Sequence, residues 1–392
     1  MFGRIPYNFA RTPMVTAGAL TAMLLAACGS AAAPASPSAA SPSPATSAPA
    51  ASVAKPAASA GAAASPSLAG SAAAKPATSA SAAASGAASG QTTKLAVSYS
   101  AIVPMTLPVW VANDEGMFKQ NGLDVQLTYI ESSKGIPAVI SGETQVANIG
   151  GPETLSAVAG GADLITVACE SPTWPFVMQV VPGINSMQDL KGKKIGVSNF
   201  GSTSDIATRI ALQHENLDPN KDVAIIAVGS ASNRLAALKS GAIQGGMSYP
   251  PDSYTLEAQG FKTIFDLGAQ HPAGSTATDI MQRSWLNANR PVAQKYVDSL
   301  VQAIASIKKN KTAAAQVLGK YMKSDDQAAL GKTVDYFVQN VFPALPDAKP
   351  DQYTDAQQIL GASNTPVKSY NVSTMLDDSL VQNAGSRGLD KQ

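Results

Sequence analysis

The sequence predicts an α/β protein of two lobes, one inserted into the other. Three observations carry that expectation. From Lys94 onward, short apolar strands alternate with helix-length amphipathic segments, the pattern of βαβ units in parallel sheets with helices on both faces. After about Ser284 the strands stop and only helical patterns follow. Two extended segments, residues 176–181 and 276–282, flank a self-contained βαβαβ block at residues 182–270. They are the expected crossovers between a discontinuous first lobe (93–181 and 275–392) and an inserted second lobe (182–274).

Taken in order, strands are expected at residues 95–99, 124–129, 146–149, 164–168, 194–197, 224–228, 245–247 and 262–266. The helices between them include residues 135–141, 153–160, 204–215 and 233–240. Asn216 and Gly241 follow the last two helices, and each tolerates the left-handed conformation that ends a helix. The run Glu115-Gly116-Met117-Phe118 to Gly122-Leu123 ends a helix and enters a strand, with Gly122 at the positive-φ position. Beyond residue 284, helices are expected at 291–310, 313–321, 325–341 and 353–360, separated by turn signals such as Pro343 and Pro346. Pro291 stands at a helix start, where its missing N–H costs nothing.

The N-terminal residues decide the compartment. Arg4 and Arg11 form a basic region, and a small, apolar run follows from Met14 to Ala27. It is too short and too rich in Ala and Thr for a membrane span, which needs roughly 20 apolar residues. It reads as a secretory signal at residues 1–27. Leu25-Ala26-Ala27-Cys28 resembles the bacterial lipobox, which implies lipidation of Cys28 and cleavage before it. From Gly29 to Gly90 the chain holds one Val, one Leu, two Lys and no aromatic residue. Such a segment buries too little apolar surface to offset its chain entropy. Residues 28–92 are therefore expected to be a disordered tether, reaching about 45 Å as a flexible chain. The expected location is extracytoplasmic, on the outer face of the cell membrane.

Composition excludes several classes. The formal net charge is +1, with no basic stripe for nucleic acid. Of two cysteines, Cys28 is assigned to lipid, which leaves Cys169 without a disulfide partner; at the end of an apolar strand it reads as a small buried residue. With His214 and His271 as the only histidines, a metal site lacks ligands. No Gly-x-Ser-x-Gly elbow appears. Neither catalytic residues nor cofactors are expected, and the protein is expected to be a monomer.

In open α/β sheets, ligands bind at the carboxyl ends of strands, where helix N-termini converge. That rule nominates Ser100, Ala101 and Thr106 after the first strand, and Gly150 and Gly151 after the third. It also nominates Gly201, Ser202 and Thr203 at a helix start, where hydroxyls and a glycine can present several donors to an oxygen. Thr173 and Trp174 stand near one crossover and Tyr249 in the second lobe, so an aromatic from each lobe could sandwich a flat ligand; Trp174 could equally pack the hinge. Glu153 reads as a first-turn acid favoured by the helix dipole. Arg209 reads as an exposed helical residue. With no Arg or Lys cluster in these loops, the expected solute is neutral or singly charged, with a flat or apolar part.

Several ordered motifs now carry a resemblance. They are Leu107-Pro108-Val109-Trp110-Val111-Ala112, Glu115-Gly116-Met117-Phe118, Gly142-Glu143-Thr144-Gln145-Val146-Ala147, Leu190-Lys191-Gly192-Lys193-Lys194-Ile195-Gly196-Val197, and Arg234-Leu235-Ala236-Ala237-Leu238-Lys239-Ser240-Gly241. Their order and spacing, from about residue 94 to at least 340, resemble ABC substrate-binding proteins of the nitrate/sulfonate/taurine/thiamine-pyrimidine (SsuA/TauA-like) family. The resemblance implies a type II periplasmic-binding-protein fold with two crossover segments and a ligand cleft. It also implies a small-molecule ligand and an ABC permease as partners. Enzymes that make the thiamine pyrimidine share the fold but rely on a His- and Cys-rich site, whose residues this chain lacks. A ligand-sensing lipoprotein without transport is the remaining alternative.

Overall fold

The computed structural model describes residues 92–270 and 272–392. The expected signal peptide, tether and lipidated Cys28 lie outside the described residues, as does His271. The strands are β1 (Thr93–Tyr99), β2 (Leu123–Tyr129), β3 (Val146–Ile149), β4 (Leu164–Thr173), β5 (Val177–Val180), β6 (Lys194–Val197), β7 (Ala224–Ala227), β8 (Gly245–Ser248), β9 (Lys262–Asp266) and β10 (Ala273–Gln282). They form two five-stranded sheets, ordered β2-β1-β3-β10-β4 and β7-β6-β8-β5-β9. This is the two-lobed α/β architecture.

The sheets are mixed rather than wholly parallel, and the departure has a geometric cause. In the first sheet β1 runs parallel to β2 and β3, while β10 runs antiparallel to β3 and β4. In the second, β6 runs parallel to β7 and β8, while β5 runs antiparallel to β8 and β9. The antiparallel strand in each sheet is the one that arrives from the other sheet. A chain leaving the carboxyl end of β4 or β9 enters the opposite sheet at its facing end, so it must run back against its new neighbours. Residues 176–181 and 276–282, expected as extended crossovers, are largely paired strand in β5 and β10. The passages themselves are residues 174–176 and 267–272.

Burial follows position in each sheet. Central β3 is buried at all four residues, whereas edge strand β2 is buried only at Leu123 and then alternates exposed with half-buried residues, as expected for covered and half-covered strands. Gly122 and Asn216 adopt positive φ (75° and 59°) where the chain turns out of a helix. Helices after β10 pack back on the first sheet. Trp110, on the Leu107–Asp114 helix, is fully buried, stacks on Tyr321 at 4.6 Å, and meets the edge of Tyr99 at 5.7 Å. The Thr354–Gly361 helix packs against the Gly151–Ala159 helix of one lobe and the Thr203–His214 helix of the other.

One polar cluster sits inside the first sheet. Asn148 Nδ2 donates to Glu170 Oε2 at 2.8 Å and to Asp279 Oδ1 at 3.3 Å, and Tyr296 donates its hydroxyl to Asp279 Oδ1 at 2.7 Å. All four residues are buried. Burial raises both carboxyls above their ordinary range, and their mutual repulsion holds Glu170 highest. The cluster links β3, β4 and β10, and burial disfavours charge on both carboxyls.

Candidate ligand cavity

The facing ends of the two sheets enclose a cavity of about 250 Å³. Three parallel strands of each sheet deliver loops to it. Ser100, Ala101 and Val103 follow β1; Tyr129 ends β2 and Glu131 follows it; Gly150 and Glu153 follow β3. From the other lobe come Ser198, Ser202 and Thr203 after β6, Ser230 and Arg234 after β7, and Tyr249 after β8. Phe176 and Thr276 line it from the connecting region. The carboxyl-end rule for open sheets thus accounts for the cavity's position.

Its electrostatics are set by a few side chains. Arg234 is 5% exposed. Its Nε donates to the Met247 carbonyl at 2.7 Å and its Nη1 to Ser198 Oγ at 2.9 Å. Among the described residues it has no carboxylate within ion-pair distance, and burial pushes its pKa down. Beside it the Tyr249 hydroxyl is buried, and burial raises its pKa against the opposing pull of the adjacent Arg234. The Tyr249 ring meets Phe176 edge-on, with centroids 5.8 Å apart. The cavity therefore sets Arg234, the Tyr249 hydroxyl and the carboxyls of Glu131 and Glu153 against an apolar, aromatic wall.

Glu153 crosses between the lobes. Its Oε2 accepts from the Thr203 hydroxyl at 3.2 Å, and its Oε1 from the Thr203 backbone N–H at 3.4 Å. Burial pushes its pKa up to about 7 against the opposing pull of those bonds. A second bridge joins Asn199 Nδ2 to Ser132 Oγ at 3.2 Å. Glu153, read from sequence as a dipole-favoured acid only, thus reaches the opposite lobe.

Of the nominated residues, Ser100, Ala101, Gly150, Ser202, Thr203 and Tyr249 line the cavity, and five others do not. Thr106 donates its hydroxyl to the Ala101 carbonyl at 3.1 Å, so it shapes a lining loop from behind. Gly151 faces Ser275 and Tyr353; a Cβ there would stand 2.1 Å from Ser275 Oγ. Thr173 holds β10 through its carbonyl, which accepts from the Thr276 hydroxyl at 3.0 Å. Trp174 is fully buried and donates its indole N–H to the Ala273 carbonyl at 2.9 Å, tying the two passages together. Gly201 (φ 77°) donates its N–H to Asp205 Oδ2 at 2.8 Å. The aromatic partner of Tyr249 is therefore Phe176, and Trp174 takes the hinge-packing role. Ser202 makes no side-chain cap to its helix; its hydroxyl lies 3.1 Å from Ser204 Oγ. Arg209 pairs with Asp205 at 2.9 Å, away from the cavity.

Glu131, Phe176, Arg234 and Thr276 line the cavity from outside the nominated loops, whereas Ser198 opens the loop that holds Ser202 and Thr203. Arg234 and Ser230 had a usable signal: they follow a recognisable strand, and the carboxyl-end rule applied to β7 selects that loop. Phe176 and Thr276 had none, because their approach depends on how the passages cross.

A family model described as "NMT1/THI5 like" matches residues 103–314. The Bacillus subtilis (strain 168) protein YtlA, named as a binding protein, is 24% identical over 202 residues, which span 50% of this chain and 60% of that relative. The chain thus matches less than two thirds of that relative's length. Among solved structures, the periplasmic aliphatic sulphonate binding protein SsuA of Escherichia coli is similar at a TM-score of 0.60 and 18% identity, over 74% of this chain and 99% of that one. The periplasmic nitrate-binding protein NrtA of Synechocystis PCC 6803 is similar at 0.61 and 15%, over 76% and 89%. At these identities the likeness establishes a shared periplasmic-binding-protein fold.

Proposed function

The chain belongs to the NMT1/THI5-like family, and from that premise we propose that it is an extracytoplasmic solute-binding lipoprotein. It captures a small organic solute or anion between its lobes and delivers it to an ABC importer. The observation that carries this reading is Arg234, a buried guanidinium facing a cavity with no carboxylate paired to it. Asp252 acts on Arg234 from beyond ion-pair distance, and a ligand's negative group placed beside Arg234 and the Tyr249 hydroxyl gains a charge-assisted hydrogen bond. Phe176, Tyr249 and Val103 offer the rest of the solute an apolar wall. A sulfonate or carboxylate of modest size with an apolar or flat portion fits that arrangement better than a neutral pyrimidine, which leaves Arg234 unpaired.

Binding without turnover is the second part of the proposal. Among the described residues no imidazole or thiol lines the cavity. Cys169 is buried in β4, where burial and the neighbouring Glu170 raise its thiol pKa. Anchoring through Cys28 and docking on a permease rest on the N-terminal motif and on the family.

Calorimetry with a panel of alkanesulfonates, carboxylates, aminopyrimidines and nitrate tests the reading. One class binds with a 1:1 stoichiometry and is recovered chemically unchanged. Absence of binding across the panel, or sustained product formation, overturns it. Replacing Cys28 by Ala is expected to move the protein from the membrane to the soluble fraction.

A further inference from the structure

We propose that Glu153 is a positioning residue for solute capture: its carboxyl group latches one lobe to the helix start of the other through Thr203. The inference deepens the binding-protein reading and rests on it, because a latch matters only where lobes open and close.

Two geometric observations carry it. Glu153 receives both donors that Thr203 offers, the backbone N–H and the hydroxyl, at 3.4 and 3.2 Å. The lobes also meet so closely here that the residue preceding the Gly151–Ala159 helix has no room for a side chain. A Cβ on Gly150 would stand 2.0 Å from Thr203 Oγ1 and 2.4 Å from Glu153 Oε2. The backbone of Gly150 is ordinary extended chain (φ −68°, ψ 143°), so conformational freedom does not call for glycine. The close approach of the latch does.

The proton balance follows from burial. With the lobes apart, Glu153 is a solvated first-turn carboxyl that ionises in the ordinary range, roughly pH 4. In the latched arrangement burial pushes its pKa up to about 7. A group whose pKa rises on closing favours the closed form fully at low pH and loses that contribution as pH climbs to 7. Above about 7 the carboxyl is ionised in both forms and the dependence flattens.

Other charged groups surround the latch. Glu131 and Arg234 share the cavity with it. On elements packed against its helix, Lys134 and Lys368 belong to the same lobe, and Asp205, Arg209 and His214 lie on the opposing helix, where Asp205 is paired with Arg209. Asp351 and Asp355 flank it from the C-terminal segment. In the sheet beneath, Glu170 and Asp279 are themselves raised by burial. A pH effect alone therefore does not single out Glu153, and the test needs the amide variant.

The test is ligand-free energy transfer between fluorophores placed by Lys134→Cys and Lys239→Cys, one exposed site on each lobe, in the full chain carrying Cys28→Ser. Between pH 5 and 7 the closed-to-open ratio is expected to fall at least about tenfold, the effect of one unit of pKa difference, and to level off above 7. Glu153→Gln holds the closed form at every pH. Gly150→Ala and Thr203→Val open it at pH 5. A flat native profile, or a pH dependence that survives Glu153→Gln, overturns the latch. Because no ligand enters, failure here is separate from failure of the solute panel.

Discussion

Arg234 Nε donates to the carbonyl of Met247 at 2.7 Å, which anchors the guanidinium to the end of β8 beside the cavity. The cation is thus held by a neutral acceptor and a hydroxyl rather than by an acid. That arrangement leaves its charge for whatever enters. It is the relationship on which the ligand's charge depends.

Replacing Arg234 by Gln removes the charge and keeps part of the hydrogen bonding. Affinity for an anionic solute is expected to fall about 30-fold or more, in line with about 2–3 kcal/mol for a charge-assisted bond. Arg234→Lys is expected to recover part of the loss, since it restores charge without the forked geometry. Calorimetry on both variants measures this, with melting temperatures recorded to separate binding from folding. Equal affinity in native protein and Arg234→Gln argues for a neutral solute.

Ser202 and Thr203 open the Thr203–His214 helix, and both line the cavity. Ser202→Ala and Thr203→Ala are each expected to weaken binding by roughly five-fold, the worth of about 1 kcal/mol for one hydrogen bond. Neither change should unfold the domain, because Ser202 provides no side-chain cap. Titration of the two variants checks this, and unchanged affinity removes the helix start from the binding site.

The Glu170–Asp279 pair makes stability depend on pH. Both carboxyls have folded pKa values raised by burial, while in the unfolded chain they ionise near pH 4. Their contribution is fully present below that value and is lost as pH rises through the raised values. The melting temperature is expected to decline between pH 5 and 8. Glu170→Gln should flatten most of that slope and raise stability at pH 8, as followed by circular dichroism.

Gly151 faces a tight wall. A Cβ there would lie 2.1 Å from Ser275 Oγ and 2.7 Å from Tyr353, and Tyr353 is fully buried. Gly151→Ala is expected to destabilise the protein by about 1–3 kcal/mol through overpacking, read as a lower urea midpoint with an unchanged slope. The contrast with Gly150, where the expected defect is in closure, separates two adjacent glycines by role.

Much of the fold was legible because it is written in local periodicity. Three of the eight expected strands, residues 146–149, 194–197 and 262–266, coincide with β3, β6 and β9, and the others differ by a few residues at their ends. Gly122 and Asn216 announce their turns by a conformational preference that belongs to the residue itself. The carboxyl-end rule placed Ser100, Gly150, Ser202, Thr203 and Tyr249 at the cavity, since a strand's direction fixes which loop it feeds.

What the sequence by itself determined is therefore local: which segments are strands and helices, where they end, and which loops follow strand ends. It also carries the motifs of the family. Tertiary structure alone decided the rest. It made the arriving strands β5 and β10 antiparallel, chose Phe176 over Trp174 as the partner of Tyr249, left Arg234 without an ion-pair partner among the described residues, and brought Glu153 against Thr203. Each of these is a meeting of groups far apart in the chain. Residue preference governs near neighbours, whereas these meetings depend on how two sheets face one another.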